Sequence, residues 1–374
     1  MGHKLGKSLA LTQYLRSSYE EKIVSFSNFL KKSATVLCAA GVVLSFQASA
    51  DVKLMGSGAS FPFPLYSKWF KDFSKETGGV RVDYQAKGSG AGIQDFINGT
   101  VDFAASDAAM KDSEIAQVKE GAVLLPMTAG EVVLAYNLDG VDELKLPRDV
   151  YPEIFAGNIT MWNDPAIAAA NPGVELPDES ITVVVRSDSS GTTYVFTGHL
   201  SEINSDFKTE VGQAKSPQWP NSAKFVKAPK NDGITATIKQ TPGAIGYIEY
   251  GYAKLTNAKT AMLENKAGHY VAPGSESGAA ALASAEFPSG NLPNSDVPNL
   301  IAWVYDPAGE EAYPIASFTW LLLYKDQDDE KAKFLRELVE YCLTEGQKSA
   351  DALGYIPLPE NVIAKVREAV KLVQ

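Results

Sequence analysis

The stretch Val183-Val184-Val185-Arg186-Ser187-Asp188-Ser189-Ser190-Gly191-Thr192-Thr193-Tyr194-Val195-Phe196 joins two hydrophobic periods across a small polar loop. Thr182 to Val185 form a β-branched run that reads as a buried strand. Beyond the loop, apolar residues resume at Tyr194, Val195, Phe196 and Leu200, as a helix requires. A Ser-Ser-Gly-Thr turn opening a helix aims several unpaired N–H groups and hydroxyls at one point, which suits an anion. Arg186, at the strand's end, carries a planar fork that matches two oxygens of a tetrahedral oxyanion, and Asp188 is placed to hold that fork. Taken alone, the stretch reads equally as an ordinary N-capped helix beside a surface salt bridge.

The strand–loop–helix pattern recurs toward the N-terminus. A short strand, Val52 to Met55, leads into Gly56-Ser57-Gly58-Ala59-Ser60-Phe61-Pro62-Phe63-Pro64, where Pro64 suits a first helical turn. Tyr66, Trp69, Phe70 and Phe73 then recur at helical spacing and are assigned to the core. Val80 to Tyr84 alternates as a strand and enters Lys87-Gly88-Ser89-Gly90-Ala91-Gly92, after which Ile93, Phe96 and Ile97 restart a helix. This loop fails as a dinucleotide fingerprint, because Ile93 stands where the third glycine belongs and no Walker lysine follows. It remains either an oxyanion cradle or a flexible turn. Val101 to Ala108 reads as a strand ending near Asp107, which by itself reads as a helix cap.

Farther on, Glu131 to Asn137 and Pro314 to Tyr324 predict apolar strands, and Pro242 to Ile248 a turn into a strand. Asn231-Asp232-Gly233-Ile234 predicts a cap opening a helix through Lys239. An amphipathic helix spans Ala332 to Leu343, a shorter one Ser349 to Tyr355, and a last one Val362 to Leu372, while residues 264–300 are loop-rich. The alternation predicts an α/β fold with mainly parallel sheets.

Of 374 residues, 45% are hydrophobic and 21% charged, enough for two cores. Lys31-Lys32, the apolar run Ala34 to Phe46 and Ala48-Ser49-Ala50 together predict a secretory signal peptide over residues 1–50, cleaved after Ala50. The basic region before it is long, and a start at Val24 leaves a signal of ordinary length. Thr35-Val36-Leu37 lacks the small residue that precedes a lipidated cysteine, so Cys38 is not read as a lipid anchor. Without residues 1–50, which hold six Lys/Arg and two Asp/Glu, the chain has 28 basic against 43 acidic side chains, a formal charge of −15. That charge argues against nucleic acid or an anionic membrane as partner. Cys342, His199 and His269 are its only cysteine and histidines, which leaves little for a zinc site or a histidine-based triad.

The ordered set Gly56-x-Gly58-Ala59-Ser60-Phe61-Pro62, Gly88-Ser89-Gly90, Val101-Asp102-Phe103-Ala104-Ala105-Ser106-Asp107, Arg186-x-Asp188-x-Ser190-Gly191-Thr192, Asn231-Asp232-Gly233-Ile234 and Pro242-Gly243-Ala244-Ile245-Gly246-Tyr247 resembles the periplasmic phosphate-binding proteins of bacterial phosphate ABC transporters. Each block is weak alone, but the ordered set is specific and covers nearly all of residues 51–374. The resemblance implies a two-domain periplasmic-binding-protein fold with the ligand in the cleft. Domain one is then 51–130 with 316–374, and domain two 131–315, with crossings near Glu131–Leu134 and Ala312–Ser317. Carried over by motif, the phosphate contacts are the Ser60 hydroxyl and N–H, the Phe61 N–H, Ser89 and Asp107 from domain one. Domain two contributes Arg186, Ser190 and the N–H groups of Gly191 and Thr192, with Asp188 orienting Arg186. The family usually has Thr at the position of Ser60, and Ser keeps the donor while losing a methyl. The resemblance further implies a non-enzymatic, monomeric receptor in the periplasm. It binds inorganic phosphate without cofactor or metal and delivers it to a membrane ABC permease. Receptors for sulfate or molybdate, which need donors but no acceptor, and a secreted phosphatase on the same scaffold are the competing readings.

Overall fold

The computed structural model describes residues 51–374; the expected signal peptide, Val24, Cys38 and the cleavage point after Ala50 lie outside the described residues. In chain order the main elements are β1 (Val52–Gly58), α1 (Phe63–Thr77), β2 (Val80–Ala86), α2 (Ser89–Ile97), β3 (Phe103–Ser106) and β4 (Ala122–Asn137). There follow β5 (Thr182–Arg186), α3 (Gly191–Ile203), β6 (Phe225–Ala228), α4 (Lys230–Gln240), β7 (Ala244–Glu249) and α5 (Tyr250–Thr256). The chain closes with β8 (Ala316–Tyr324), α6 (Asp329–Tyr341) and α7 (Glu360–Val370).

One sheet runs through the molecule in the order β2-β1-β3-β8-β4-β7-β5-β6, with the short strand Lys259–Thr260 also paired to β4. Lys145–Leu146, Met262–Glu264 and Tyr270–Val271 form a smaller sheet. The expectation of mainly parallel sheets needs correction. The pairs β1–β2, β1–β3, β5–β6 and β5–β7 are parallel, but β8 is antiparallel to β3 and β4, and β4 is antiparallel to β7. The central strands thus reverse direction, a feature that side-chain periodicity does not encode.

Strand β4 is the element that links the two halves of the sheet. Its residues Ala122 to Glu131 pair with β8, and from Val132 to Asn137 it pairs with β7 instead. The register of β4 against β8 shifts between Thr319 and Trp320, beside Pro126, which has no N–H to give a ladder. Glu131 is buried at the change of partner, where it accepts from the Gly274 N–H (2.8 Å) and the Ser277 hydroxyl (2.9 Å). Burial pushes its carboxyl up to about 8 against those two bonds.

Helix α1 covers the first half of the sheet with Leu65, Tyr66, Trp69, Phe70 and Phe73, the apolar spacing of a one-sided helix. The Trp69 indole also donates to the Gly346 carbonyl at 2.8 Å. The helix expected at Ser349 to Tyr355 is instead a run of tight turns: a π turn over Cys342–Gly346, then 3-10 turns at Gln347–Ser349 and Asp351–Leu353. Gly346 lies so close to Trp69 that a Cβ there would fall 2.9 Å from the indole, which keeps this segment tight against α1. Among the described residues no helix is long and apolar enough to cross a membrane.

Candidate anion-binding cleft

The ends of β1, β2, β3 and β5 converge on one buried cluster. Ser60, Ser89 and Asp107 reach it from the first half of the sheet; Arg186, Ser190 and Thr192 reach it from the second, and all six are buried. This is where open α/β sheets place ligands.

Arg186 closes strand β5, and its side chain is only 1% exposed. Asp188 receives its Nε at 2.8 Å and its Nη2 at 2.6 Å, a two-point grip that fixes the plane of the fork. The Asp188 carboxylate is itself held by the Lys230 N–H at 2.9 Å. Burial alone raises the pKa of Asp188, but the hydrogen bonds and charge of Arg186 outweigh it and leave the group below its ordinary value. The pair is therefore ionised and oriented. The remaining guanidinium face points to Thr192 Oγ1 (Nη1, 3.3 Å) and Ser60 Oγ (Nη2, 3.4 Å).

Ser190 is the N-cap of α3: its Oγ accepts from the Thr193 N–H at 3.0 Å, while its own N–H donates to the Lys215 carbonyl. Gly191 and Thr192 follow as the first two residues of that helix, whose N–H groups have no intrahelical acceptor. A Cβ on Gly191 would fall 2.3 Å from Ser89 Oγ and 2.5 Å from Asp107 Oδ2, so only glycine allows α3 this close to the opposite strand ends. Gly88, at φ +96°, makes the matching approach: a Cβ there would lie 2.4 Å from Asp188 Oδ2. The Gly90 N–H then bonds directly to the Ser189 carbonyl at 3.0 Å.

Asp107 follows β3 and is 1% exposed. Thr319 donates to its Oδ1 at 2.9 Å, and Ser89 Oγ lies 3.4 Å from its Oδ2. Burial dominates the titration of this carboxyl and pushes it to about 7, against the lowering effects of Thr319, Arg186 and Ser89. Asp107 is no helix cap: its backbone N–H donates to Ser89 Oγ at 3.2 Å and its side chain faces α3. Phe61 packs its ring against Gly130, and its carbonyl accepts from the Tyr355 hydroxyl at 2.7 Å.

The sequence reasoning missed two members of this cluster. Thr319 lies in the middle of β8 and reads there as one more core residue. Asn231 was expected to cap a helix, yet α4 starts one residue earlier, at Lys230, and the Asn231 side chain turns inward. It is fully buried and donates to Ser60 Oγ (3.0 Å) and Thr192 Oγ1 (3.1 Å). The signal was in hand, since Asn231 sits in one of the blocks that carried the resemblance. His199 lies apart: its ring nitrogens bond the Tyr151 hydroxyl and the Tyr305 carbonyl, and burial holds it down to about 4, hence neutral.

A buried cluster of donors around Asp107 lies between the two sheet halves, an arrangement that fits solute receptors of the periplasmic-binding type. Residues 45–345 match the model of the PBP superfamily domain. The chain is 37% identical over 325 residues to the phosphate-binding protein PstS of Xylella fastidiosa (strain Temecula1), covering 86% of each chain. With the PstS of Pasteurella multocida it shares 38% over 317 residues, covering 84% of this chain and 88% of that one. With the PstS of Haemophilus influenzae it shares 36% over 341 residues, covering 90% and 97%. The chain belongs to this PstS family of phosphate-binding proteins. Among solved structures it resembles a high-affinity periplasmic phosphate-binding protein bound with phosphate (TM-score 0.69, 23% identity, 85% of this chain and 93% of that one). It also resembles an ABC-type phosphate transport receptor from Vibrio cholerae (TM-score 0.52, 18% identity, 82% and 100%). At such identities these two likenesses speak for the fold.

Proposed function

We propose that this chain is an extracytoplasmic receptor that captures inorganic phosphate between two lobes and delivers it to a membrane ABC permease, without catalysis. The observation that carries the reading is the composition of the buried cleft: an Arg186 oriented by Asp188, hydroxyls and a helix N-terminus as donors, with the acidic acceptor Asp107 against Gly191. In this reading the phosphate contacts are Ser60, Phe61, Ser89, Asp107, Arg186, Ser190, Gly191 and Thr192, and Asp188 orients Arg186. The lobes are residues 51–130 with 316–374, and residues 131–315. The change of partner along β4 and the entry into β8 serve as the two crossings, which supports these boundaries. Export to the periplasm with cleavage after Ala50, and a monomeric state, complete the proposal.

Contacts drawn from both lobes stabilise only the closed arrangement, so ligand shifts the population toward it. Small-angle scattering is expected to give a smaller radius of gyration with saturating phosphate than without. Identical radii would count against closure about the β4 and β8 crossings.

A further inference from the structure

We propose that Asn231 is a positioning residue that determines which way the Ser60 and Thr192 hydroxyls face, committing both protons to the bound anion. This rests on the phosphate reading above and assigns a role to a residue outside the contact set. The Glu249 backbone N–H donates to Asn231 Oδ1 at 3.0 Å, and a backbone donor of this kind accepts only one orientation of the amide. The NH₂ end must therefore face the cleft, where Nδ2 lies 3.0 Å from Ser60 Oγ and 3.1 Å from Thr192 Oγ1. The Asn231 N–H adds a further bond to Ser60 Oγ at 3.2 Å.

Each hydroxyl oxygen has two lone pairs and one proton. Ser60 Oγ is approached by Asn231 N–H, Asn231 Nδ2 and Arg186 Nη2; Thr192 Oγ1 by Asn231 Nδ2 and Arg186 Nη1. All of these groups donate and none of them accepts. In every hydrogen bond that either oxygen makes among the described residues, the oxygen is the acceptor. The two O–H protons have nowhere to go within this network and are left for an acceptor in the cleft. Asn231 sits 0% exposed on the first turn of α4 and touches one hydroxyl from each lobe. It presets the donor pattern before the anion arrives, which removes a reorganisation cost at binding. It also does so without adding charge beside Asp107.

The informative substitution is Asn231→Asp. The carboxylate keeps the shape and still accepts from the Glu249 N–H. Toward the hydroxyls, however, it is an acceptor, so Ser60 and Thr192 turn their protons to it and away from the ligand. Loss of two hydrogen bonds to a charged ligand predicts phosphate binding weaker by roughly 10²-fold or more. To separate this from a general disturbance or simple charge repulsion, the change is repeated in a Ser60→Ala/Thr192→Val background, with phosphate affinity measured by calorimetry. If Asn231 acts through the hydroxyls, the Asn231→Asp effect shrinks at least tenfold when they are absent. An equal effect in both backgrounds overturns the inference while leaving the phosphate reading intact. If Asn231→Asp does not fold, Asn231→Ala in the same cycle decides on the same criterion of coupling or additivity. Absence of phosphate binding by the unmodified protein overturns both the function and this inference.

Discussion

Replacing Asp107 by asparagine is expected to leave measurable phosphate binding and to admit sulfate. Phosphate near neutral pH carries a proton and sulfate carries none, so a dry cleft of N–H and O–H donors alone accepts either. An ionised Asp107 takes the phosphate proton in a charge-assisted bond. Sulfate instead sets an oxygen lone pair against the carboxylate and leaves two buried acceptors facing each other. Sites that require a ligand hydrogen reject analogues lacking it by up to about 10⁴–10⁵-fold, a ceiling that belongs to the fully ionised carboxylate. The burial of Asp107 adds a pH dependence. Its carboxyl sits at about 7, so below that pH it carries a proton that can be donated to sulfate. The sulfate affinity of the unmodified protein should fall about tenfold per pH unit above pH 7 and level off below it. In Asp107→Asn that dependence should vanish. Competition titrations with the two anions from pH 5 to pH 9 check both points; an Asp107→Asn protein that still excludes sulfate as strongly as the parent would move the selectivity elsewhere.

Arg186→Ala is expected to abolish most phosphate binding while the protein stays folded. Truncating one partner of a buried, hydrogen-bonded charge set costs roughly 2–5 kcal/mol, equivalent to about 30- to several-thousand-fold in affinity. The fold should survive because Asp188 keeps its bond from the Lys230 N–H and strand β5 keeps its pairing with β6 and β7. Arg186→Lys should recover only part of the affinity, since a point charge cannot be gripped at two oxygens by Asp188 while serving the ligand. Titration with phosphate alongside a thermal unfolding curve separates loss of site from loss of fold. Near-unchanged affinity would place Arg186 among ordinary salt bridges.

The part of the buried cluster that comes from β5 and α3 is local in sequence, which is why its meeting point could be read. Arg186, Asp188, Ser190, Gly191 and Thr192 follow one another through a strand, a loop and a helix start. The residues from the first half of the sheet needed the resemblance, because Ser60, Ser89 and Asp107 follow three separate strands, β1, β2 and β3, that only the sheet brings together. Asn231 stayed hidden because Asn-Asp-Gly before an apolar residue is a capping signature, whereas here the side chain serves the Glu249 N–H and the cleft hydroxyls. Thr319 stayed hidden because one hydroxyl in an apolar strand looks like filler until Asp107 is seen beside it. The first half of β4 went unread because Pro126 and Gly130 interrupt its apolar pattern; the register shift against β8 lies at Pro126, and Gly130 makes room for the Phe61 ring. Strand direction left no trace in the pattern at all.

The measurement that bears most directly on the account is a calorimetric titration of the unmodified protein with phosphate and with sulfate at pH 8. Saturable phosphate binding at one ion per chain, with sulfate bound at least about tenfold more weakly, is the predicted result. Sulfate bound as tightly as phosphate, or no binding of phosphate, would contradict it.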